Sequence, residues 1–195
     1  MTTRLIVPLV TLFITMATLS AQDVQYIRAV EQAQKQRPAT ITSAARLAPV
    51  AEPGTPLVLQ GRIVNADGSP AANAIVFAYH TDRTGLYDRR EAGPHSWRLK
   101  GWARAGQDGR FTFETIRPGS YPDSKNPAHV HFTAFLPSGE RYHAGEVQFA
   151  NDPLISQSDR DTGARDDFGA ARPVRLEGKT EHVTFALRLQ PRNRF

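Results

Sequence analysis

From Leu57 onward, apolar and polar positions alternate in short runs separated by Gly, Pro, Asn and Asp, which is the texture of strands joined by turns. Residues 57–65 (LVLQGRIVN) alternate, Ala66-Asp67-Gly68-Ser69-Pro70 supplies a turn, and Ala74–Tyr79 is a second, fully apolar strand. Within 106–116, Asp108-Gly109 is a hairpin signal, and Phe111 and Phe113 fall on one face of the strand that follows. Ala128–Leu136 is another strand, closed by Pro137-Ser138-Gly139, with Tyr142–Phe149 as a candidate partner. Val183, Phe185, Leu187 and Leu189 alternate with Thr184, Ala186 and Arg188, as a half-buried strand does. Residues 151–172 are polar and irregular and predict a long loop. With no helical pattern between the strands, an antiparallel sandwich is expected.

The chain ahead of this body reads differently. Residues 23–36 have a helical pattern, with Asp23 as candidate cap and Val24, Ile27, Val30 and Gln34 near one face, before Arg37-Pro38 stops the run. So few apolar residues require the helix to dock, either on its own β-body or on a partner subunit, which makes it a candidate homodimer element. Residues 38–56 carry four prolines and many small residues and read as a linker. At the N-terminus, Arg4 precedes an apolar run from Leu5 to about Leu19, and Ser20-Ala21 follows. That layout predicts a Sec-type signal peptide over 1–21, cleaved after Ala21, and a periplasmic or secreted mature protein. The run is shorter than the roughly 20 residues needed to span a bilayer, so no stable membrane insertion is expected. The domain plan is therefore 1–21 signal, 22–56 helix and linker, and 57–195 β-body.

Composition narrows the chemistry. In 195 residues there is no cysteine, which excludes disulfides, thiolate metal sites and cysteine nucleophiles. The formal charge of +5 falls to +4 without Arg4. The basic residues are scattered and lack interleaved aromatics, so a nucleic-acid partner is not expected. Phosphate loops, Gly-x-Ser-x-Gly elbows and His-Glu-x-x-His motifs are absent, which leaves nucleotide hydrolysis, serine esterase and zincin chemistry without support.

The sharpest local feature is His129-Val130-His131. In a strand, residues i and i+2 share a face, so the two imidazoles converge while Val130 and Phe132 turn the other way. Such a pair offers two nitrogen ligands to a metal, or is simply a pair of packed histidines. Without cysteine, completing ligands must be Asp, Glu, His or Tyr. Tyr121 lies eight residues upstream of His129 in a turn, and Tyr87 follows the Ala74–Tyr79 strand. Phenols ionise near pH 10, so tyrosine becomes a ligand at neutral pH only for a strongly Lewis-acidic ion such as ferric iron.

Taken together, residues 61–88 (GRIVNADGSPAANAIVFAYHTDRTGLYD), 108–122 (DGRFTFETIRPGSYP) and 126–132 (NPAHVHF) resemble the catalytic domain of the intradiol ring-cleavage dioxygenases, in the family's order and over roughly residues 57–190. The fold expected is then an all-β antiparallel β-sandwich, Greek-key and transthyretin/prealbumin-like, with a short N-terminal helix. The resemblance implies a non-haem Fe(III) held by Tyr87, Tyr121, His129 and His131. It further implies that a catechol-type substrate binds, that Tyr121 leaves the iron and takes a proton while Tyr87 stays, and that O2 opens the ring to a muconate-type dicarboxylate. Two positions depart from the family pattern. Arg is common three residues before the first histidine, where this chain has Asn126 preceded by Lys125, a flexible cation and not a planar fork. Gln is usual fifteen residues after the second histidine, where this chain has Glu146, as a base, a further ligand or a group turned away. Lys125, Asn126, Glu146 and Tyr121 are thus the candidate catalytic residues.

His80, His95, His143 and His182 lack a partner at ligand spacing and read as surface or packing residues. Trp97 and Trp102 either line a pocket for an aromatic ring or fill the sandwich edge. The competing readings to an enzyme are a noncatalytic sandwich module, resembling transthyretin-like or carboxypeptidase-regulatory domains, and an iron- or catechol-binding protein without turnover.

Overall fold

A computed structural model describes residues 21–88 and 97–195. The expected signal segment and His95 lie outside the described residues, Ala21 excepted. Two five-stranded sheets face each other. The first has the order β1 (Ala44–Arg46), β5 (Arg110–Ile116), β2 (Pro56–Val64), β10 (Thr180–Arg188), β9 (Arg175–Glu177). The second runs β4 (Leu99–Arg104), β3 (Ile75–His80), β6 (His129–Phe135), β7 (Arg141–Phe149), β8 (Ala171–Arg172).

The alternation read from the sequence places the core. Leu57, Leu59, Ile63, Phe111, Phe113, Val183, Phe185 and Leu187 of the first sheet meet Val76, Ala78, Val130, Phe132, Val147 and Phe149 of the second, all buried. Gly61 sits opposite Phe111 in the β2–β5 ladder, and a Cβ there would lie 2.2 Å from the Phe111 ring, so the missing side chain is what lets that ring lie flat.

Several expectations are corrected. The sandwich is mixed, not antiparallel: β10 runs parallel to β2 over eight residue pairs, and β1–β5 and β7–β8 are parallel too. The chain crosses to the second sheet for β3 and β4, returns for β5, crosses again for β6 to β8 and comes back for β9 and β10, so β10 re-enters along the open edge of β2 in the same direction. Asp108-Gly109 makes a tight turn, with Gly109 at φ +78°, but it carries the chain from β4 in one sheet to β5 in the other and closes no hairpin. The loop expected over 151–172 contains α2 (Gln157–Arg165), whose N-cap Ser156 accepts a hydrogen bond from the Asp159 amide. The linker expected over 38–56 contains β1 and buries Leu47 and Ala48.

The N-terminal helix α1 (Ala21–Gln34) begins two residues before Asp23, which therefore lies in its first turn and not at its cap. It docks on this chain's own second sheet. Ala29, Val30 and Ala33 cover Ile75, Phe77, Tyr79, Trp97 and Trp102 on the side facing away from the core. This explains why β3 is buried at every position and reads as an unbroken apolar run: both of its faces are covered. Among the described residues no helix is long and apolar enough to cross a membrane.

Candidate metal centre

β6 presents its two faces to different surroundings. Val130 and Phe132 enter the core, while His129 and His131 project on the opposite face. Adjacent strands extend the row across the sheet. Tyr79 on β3 and Glu146 on β7 both pair with His131 in register, and Gln148 pairs with His129. Tyr79 stacks on the His131 imidazole at a centroid distance of 4.9 Å and on Trp97 at 3.9 Å, fixing the orientation of the imidazole.

Two loops carry the tyrosines, and their backbones are interlocked. After β3 the chain turns around buried Asp82, whose Oδ1 accepts hydrogen bonds from the Thr84 amide (2.8 Å) and hydroxyl (2.6 Å), leading to Tyr87. Gly119 donates its amide to the Asp82 carbonyl at 2.8 Å, and the Thr81 hydroxyl donates to the Gly119 carbonyl at 2.8 Å. Gly85, at φ +84°, approaches so closely that a Cβ would fall 1.9 Å from the Ser120 carbonyl oxygen. A Cβ on Gly119 would fall 2.6 Å from the Arg83 carbonyl oxygen. No side chain fits between the two loops, and this close approach brings Tyr87 and Tyr121 together. Downstream, buried Asp152 accepts the Ala128 amide at 3.1 Å and pins the entry to β6.

The four donors converge. The Tyr87 and Tyr121 hydroxyls lie 2.5 Å apart, and the Tyr121 hydroxyl lies 3.1 Å from His129 Nε2 and 3.4 Å from His131 Nε2. Separations of about 3 Å are what donors show when they share one ion through bonds of roughly 2 Å. His129 Nδ1 donates to the Pro127 carbonyl at 2.6 Å; a carbonyl can only accept, so Nε2 keeps its lone pair and aims it at Tyr121. Burial pushes the Tyr87 phenol far above its ordinary value. It also raises Tyr121, where the hydrogen bond from Tyr87 partly offsets the shift. Burial, followed by the neighbouring His129 and His143, pulls the His131 imidazole down to about 3. The cluster thus holds a neutral His131 imidazole and protonated phenols in a desolvated place, and Tyr121 has one proton for two imidazoles. A cation at the convergence point would reverse the burial penalty and accept all four lone pairs. Two hard phenolic oxygens and two imidazole nitrogens suit a ferric ion.

Of the other candidates, Glu146 belongs to the cluster's margin. Its Oε2 is 3.7 Å from His131 Nδ1, on the far side of the ring from Tyr121, and its Oε1 accepts from Gln148 at 2.7 Å. Ligand atoms of His129, His131 and Glu146 all lie within 4.8 Å of one another. Lys125 and Asn126 are exposed on the loop before β6, and among the described residues no hydrogen bond links their side chains to the four donors. His80 is buried with both ring nitrogens bonded, His143 stacks on Tyr26 and meets Phe195 at a tilt, and His182 sits 3.2 Å from Glu177. Trp97 and Trp102 are buried beneath α1. The support residues Tyr79, Tyr26, Asp82, Gly85 and Gly119 escaped the sequence reading. The one available signal was the apolar run on both faces of β3, which required a second layer over Phe77 and Tyr79.

Comparison with known proteins gives the family. A family model described as dioxygenase matches residues 25–191, most of the chain. The chain belongs to the intradiol dioxygenase family. It is 28% identical over 127 residues to catechol 1,2-dioxygenase 2 of Acinetobacter lwoffii, covering 57% of this chain and 46% of that protein. It is 32% identical over 103 residues to 6-chlorohydroxyquinol 1,2-dioxygenase of Cupriavidus pinatubonensis, covering 45% and 37%. The chain thus spans less than half the length of these curated relatives. Among solved structures, the dioxygenase domain of a dioxygenase–carbohydrate-binding fusion from Streptomyces sp. SirexAA-E aligns with a TM-score of 0.57 at 23% identity, over 78% of this chain and 91% of that one, which supports the shared fold.

Proposed function

We propose that this chain is an exported intradiol dioxygenase: it holds Fe(III) between Tyr87, Tyr121, His129 and His131 and uses O2 to split a catechol-type ring between its two oxygenated carbons. The observation that carries this reading is the Tyr121 hydroxyl, within hydrogen-bond reach of Tyr87 and of both imidazole Nε2 atoms. The ferric ion, when bound, would hold the substrate oxygens and draw electron density from the ring, so that the ring reacts with O2. The chain's own residues do the rest. His129, held by the Pro127 carbonyl, and His131, stacked on Tyr79, keep fixed orientations. By the family resemblance Tyr87 is the permanent anionic donor, and Tyr121, on a loop that runs on into the exposed residues 122–126, is the oxygen that accepts a proton from an incoming catechol hydroxyl. Both atoms of O2 end in the carboxyl groups of a muconate-type product.

The test is the visible spectrum and iron content of the purified protein, before and after catechol is added under air-free conditions. A tyrosinate-to-ferric band that shifts with catechol and bleaches on admitting air supports turnover. A stable coloured complex in air favours binding without turnover, the reading suggested by Lys125 and Asn126 lying exposed and unbonded to the donors. A protein that neither retains Fe(III) nor responds to catechol would leave only the sandwich module. Export, proposed from residues 1–21, predicts that N-terminal sequencing of the protein from an extracytoplasmic fraction starts at Gln22; a start at Met1 or Thr2 there would overturn it.

A further inference from the structure

Beside the four donors a cavity of about 310 Å³ opens between α1 and the β6–β7 ladder, walled by Tyr26, Tyr79, His131, His143 and Glu146. That volume is at the lower end of the roughly 300–1,000 Å³ range of small-molecule pockets. His131 is the wall it shares with the metal cluster. Among the described residues, Glu146 is the one Asp, Glu, Lys or Arg side chain lining it. Its carboxylate is about one-third exposed, close enough to the histidine ligand atoms to share a 4.8 Å sphere with them, and held in place by Gln148. Arg141, at the start of the same strand, is paired with Glu31.

We propose that Glu146 sets the charge preference of the site, so that catechols carrying an anionic ring group are disfavoured relative to neutral catechols and to those carrying an ammonium group. This rests on the function proposed above. A ring bound at the donor cluster with a substituent directed into this cavity would bring that group toward the Glu146 carboxylate, in a partly desolvated space lined by no Lys or Arg among the described residues. At a separation of several ångströms and an intermediate dielectric, one like charge shifts binding by about tenfold. A glutamine of the same shape would keep the hydrogen-bonding oxygen and remove the charge.

The experiment uses iron-loaded wild type, Glu146→Gln and Glu146→Lys. Dissociation constants are read from the tyrosinate-to-ferric band without air for catechol, 3,4-dihydroxybenzoate and 4-(2-aminoethyl)catechol, and iron is counted by metal analysis. Normalising each ligand to catechol isolates the charge effect from any general change in the site. In wild type the benzoate binds more weakly than the amine. In Glu146→Gln the benzoate-to-catechol ratio of dissociation constants falls by about tenfold and the amine-to-catechol ratio rises, and Glu146→Lys carries both shifts further. Ratios unchanged across three iron-loaded proteins would overturn the inference while leaving the proposed function intact. Loss of iron from both variants would make Glu146 a ligand and also overturn it. Wild type that holds no iron or binds no catechol would overturn the functional reading, and the inference with it.

Discussion

The two faces of β6 are built from alternate residues of one seven-residue strand, and they answer to different physics. On the core side, Val130, Phe132 and Ala134 lie among more than a dozen other buried apolar side chains, and any residue of similar size and shape would satisfy the contact. On the other side, His129, His131 and Thr133 each depend on one or two named partners: the Pro127 carbonyl and Tyr121, the Tyr79 ring, the Tyr26 hydroxyl. The core face contributes stability that is spread over many contacts. The outer face contributes function concentrated in a few atoms, and its geometry is borrowed from two loops and a helix.

The largest effects come from exchanging damage between the faces. His131→Ala should abolish retention of Fe(III) while shifting the urea midpoint little, because the ring is only half of a stacked pair at the sheet surface. Phe132→Ala should do the reverse, destabilising the fold by about 3–5 kcal/mol as expected for a large buried side chain, with iron still bound below the unfolding transition. Metal analysis alongside urea denaturation checks both. A His131→Ala protein with full iron, or a Phe132→Ala protein that loses iron while still folded, would show that the faces are not separable.

A second contrast lies one strand away. Buried His80 donates from Nδ1 to the Thr81 carbonyl (2.6 Å) and in its neutral form accepts at Nε2 from the Thr115 hydroxyl (2.7 Å), so protonating it buries a charge and forces that second bond to reverse. Burial is the main reason its pKa falls to about 4 from 6.5. The unfolded chain then binds a proton that the folded chain refuses. The stability this group contributes is present above pH 6.5, begins to be lost as pH drops below that value, and is fully lost near pH 4, an integrated change of about 3 kcal/mol. Urea midpoints of the metal-free protein between pH 7 and pH 4 should show this loss, and His80→Gln should flatten part of it. An identical pH profile in the variant would contradict the assignment.

Gly85→Ala tests the loops that lend the outer face its geometry. The added methyl would overlap the Ser120 carbonyl and strain a left-handed backbone, so Tyr87 and Tyr121 must separate. The expected result is a loss of iron affinity of about tenfold or more, with stability lowered by about 1–3 kcal/mol. Wild-type iron affinity in a folded Gly85→Ala protein would mean that the close approach of the loops does not set the donor geometry.

How much of this was legible in the sequence follows the range of the signal. The division of β6 into two faces was readable because period-2 alternation is local, and the convergence of two histidines follows from it. The core strands β2, β5, β6, β7 and β10 were readable for the same reason. The parallel pairing of β10 with β2 was not, since Val183 and Leu59 are partners across most of the chain and no turn residue announces a crossover. Helix α2 was missed because its sequence, QSDRDTGAR, has no apolar face, and its only marks are the Ser156 cap and the Asp159 that answers it. The meeting of Tyr87 and Tyr121 could be inferred only from the family resemblance. In physical terms it depends on Gly85 and Gly119, where the informative feature is space that nothing occupies.

The smallest of the expected effects falls where the outer face of β6 changes role. One bulged position beyond His131, Thr133 is fully buried and its hydroxyl meets the Tyr26 hydroxyl of α1 at 2.5 Å, while the Tyr26 ring stacks on His143 at 4.4 Å and touches Phe195. Burial raises the Tyr26 phenol to about 12, so it stays protonated and can donate. Tyr26→Phe keeps the ring contacts and removes one oxygen, leaving Thr133 without that partner, and should lower stability by about 1–2 kcal/mol. The four donors are held by Pro127, Tyr79 and the two loops, and α1 reaches them only through the hydrogen bond between Tyr26 and Tyr79, so iron retention in the folded variant should stay close to that of wild type. A double-mutant cycle with Thr133→Val decides whether the loss belongs to this one bond: a coupling energy near zero would assign it to general loosening of the helix. If Tyr26→Phe lost iron while still folded, the helix that covers β3 would also be part of what holds the donors, and the functional face of β6 would extend one residue pair further than His131.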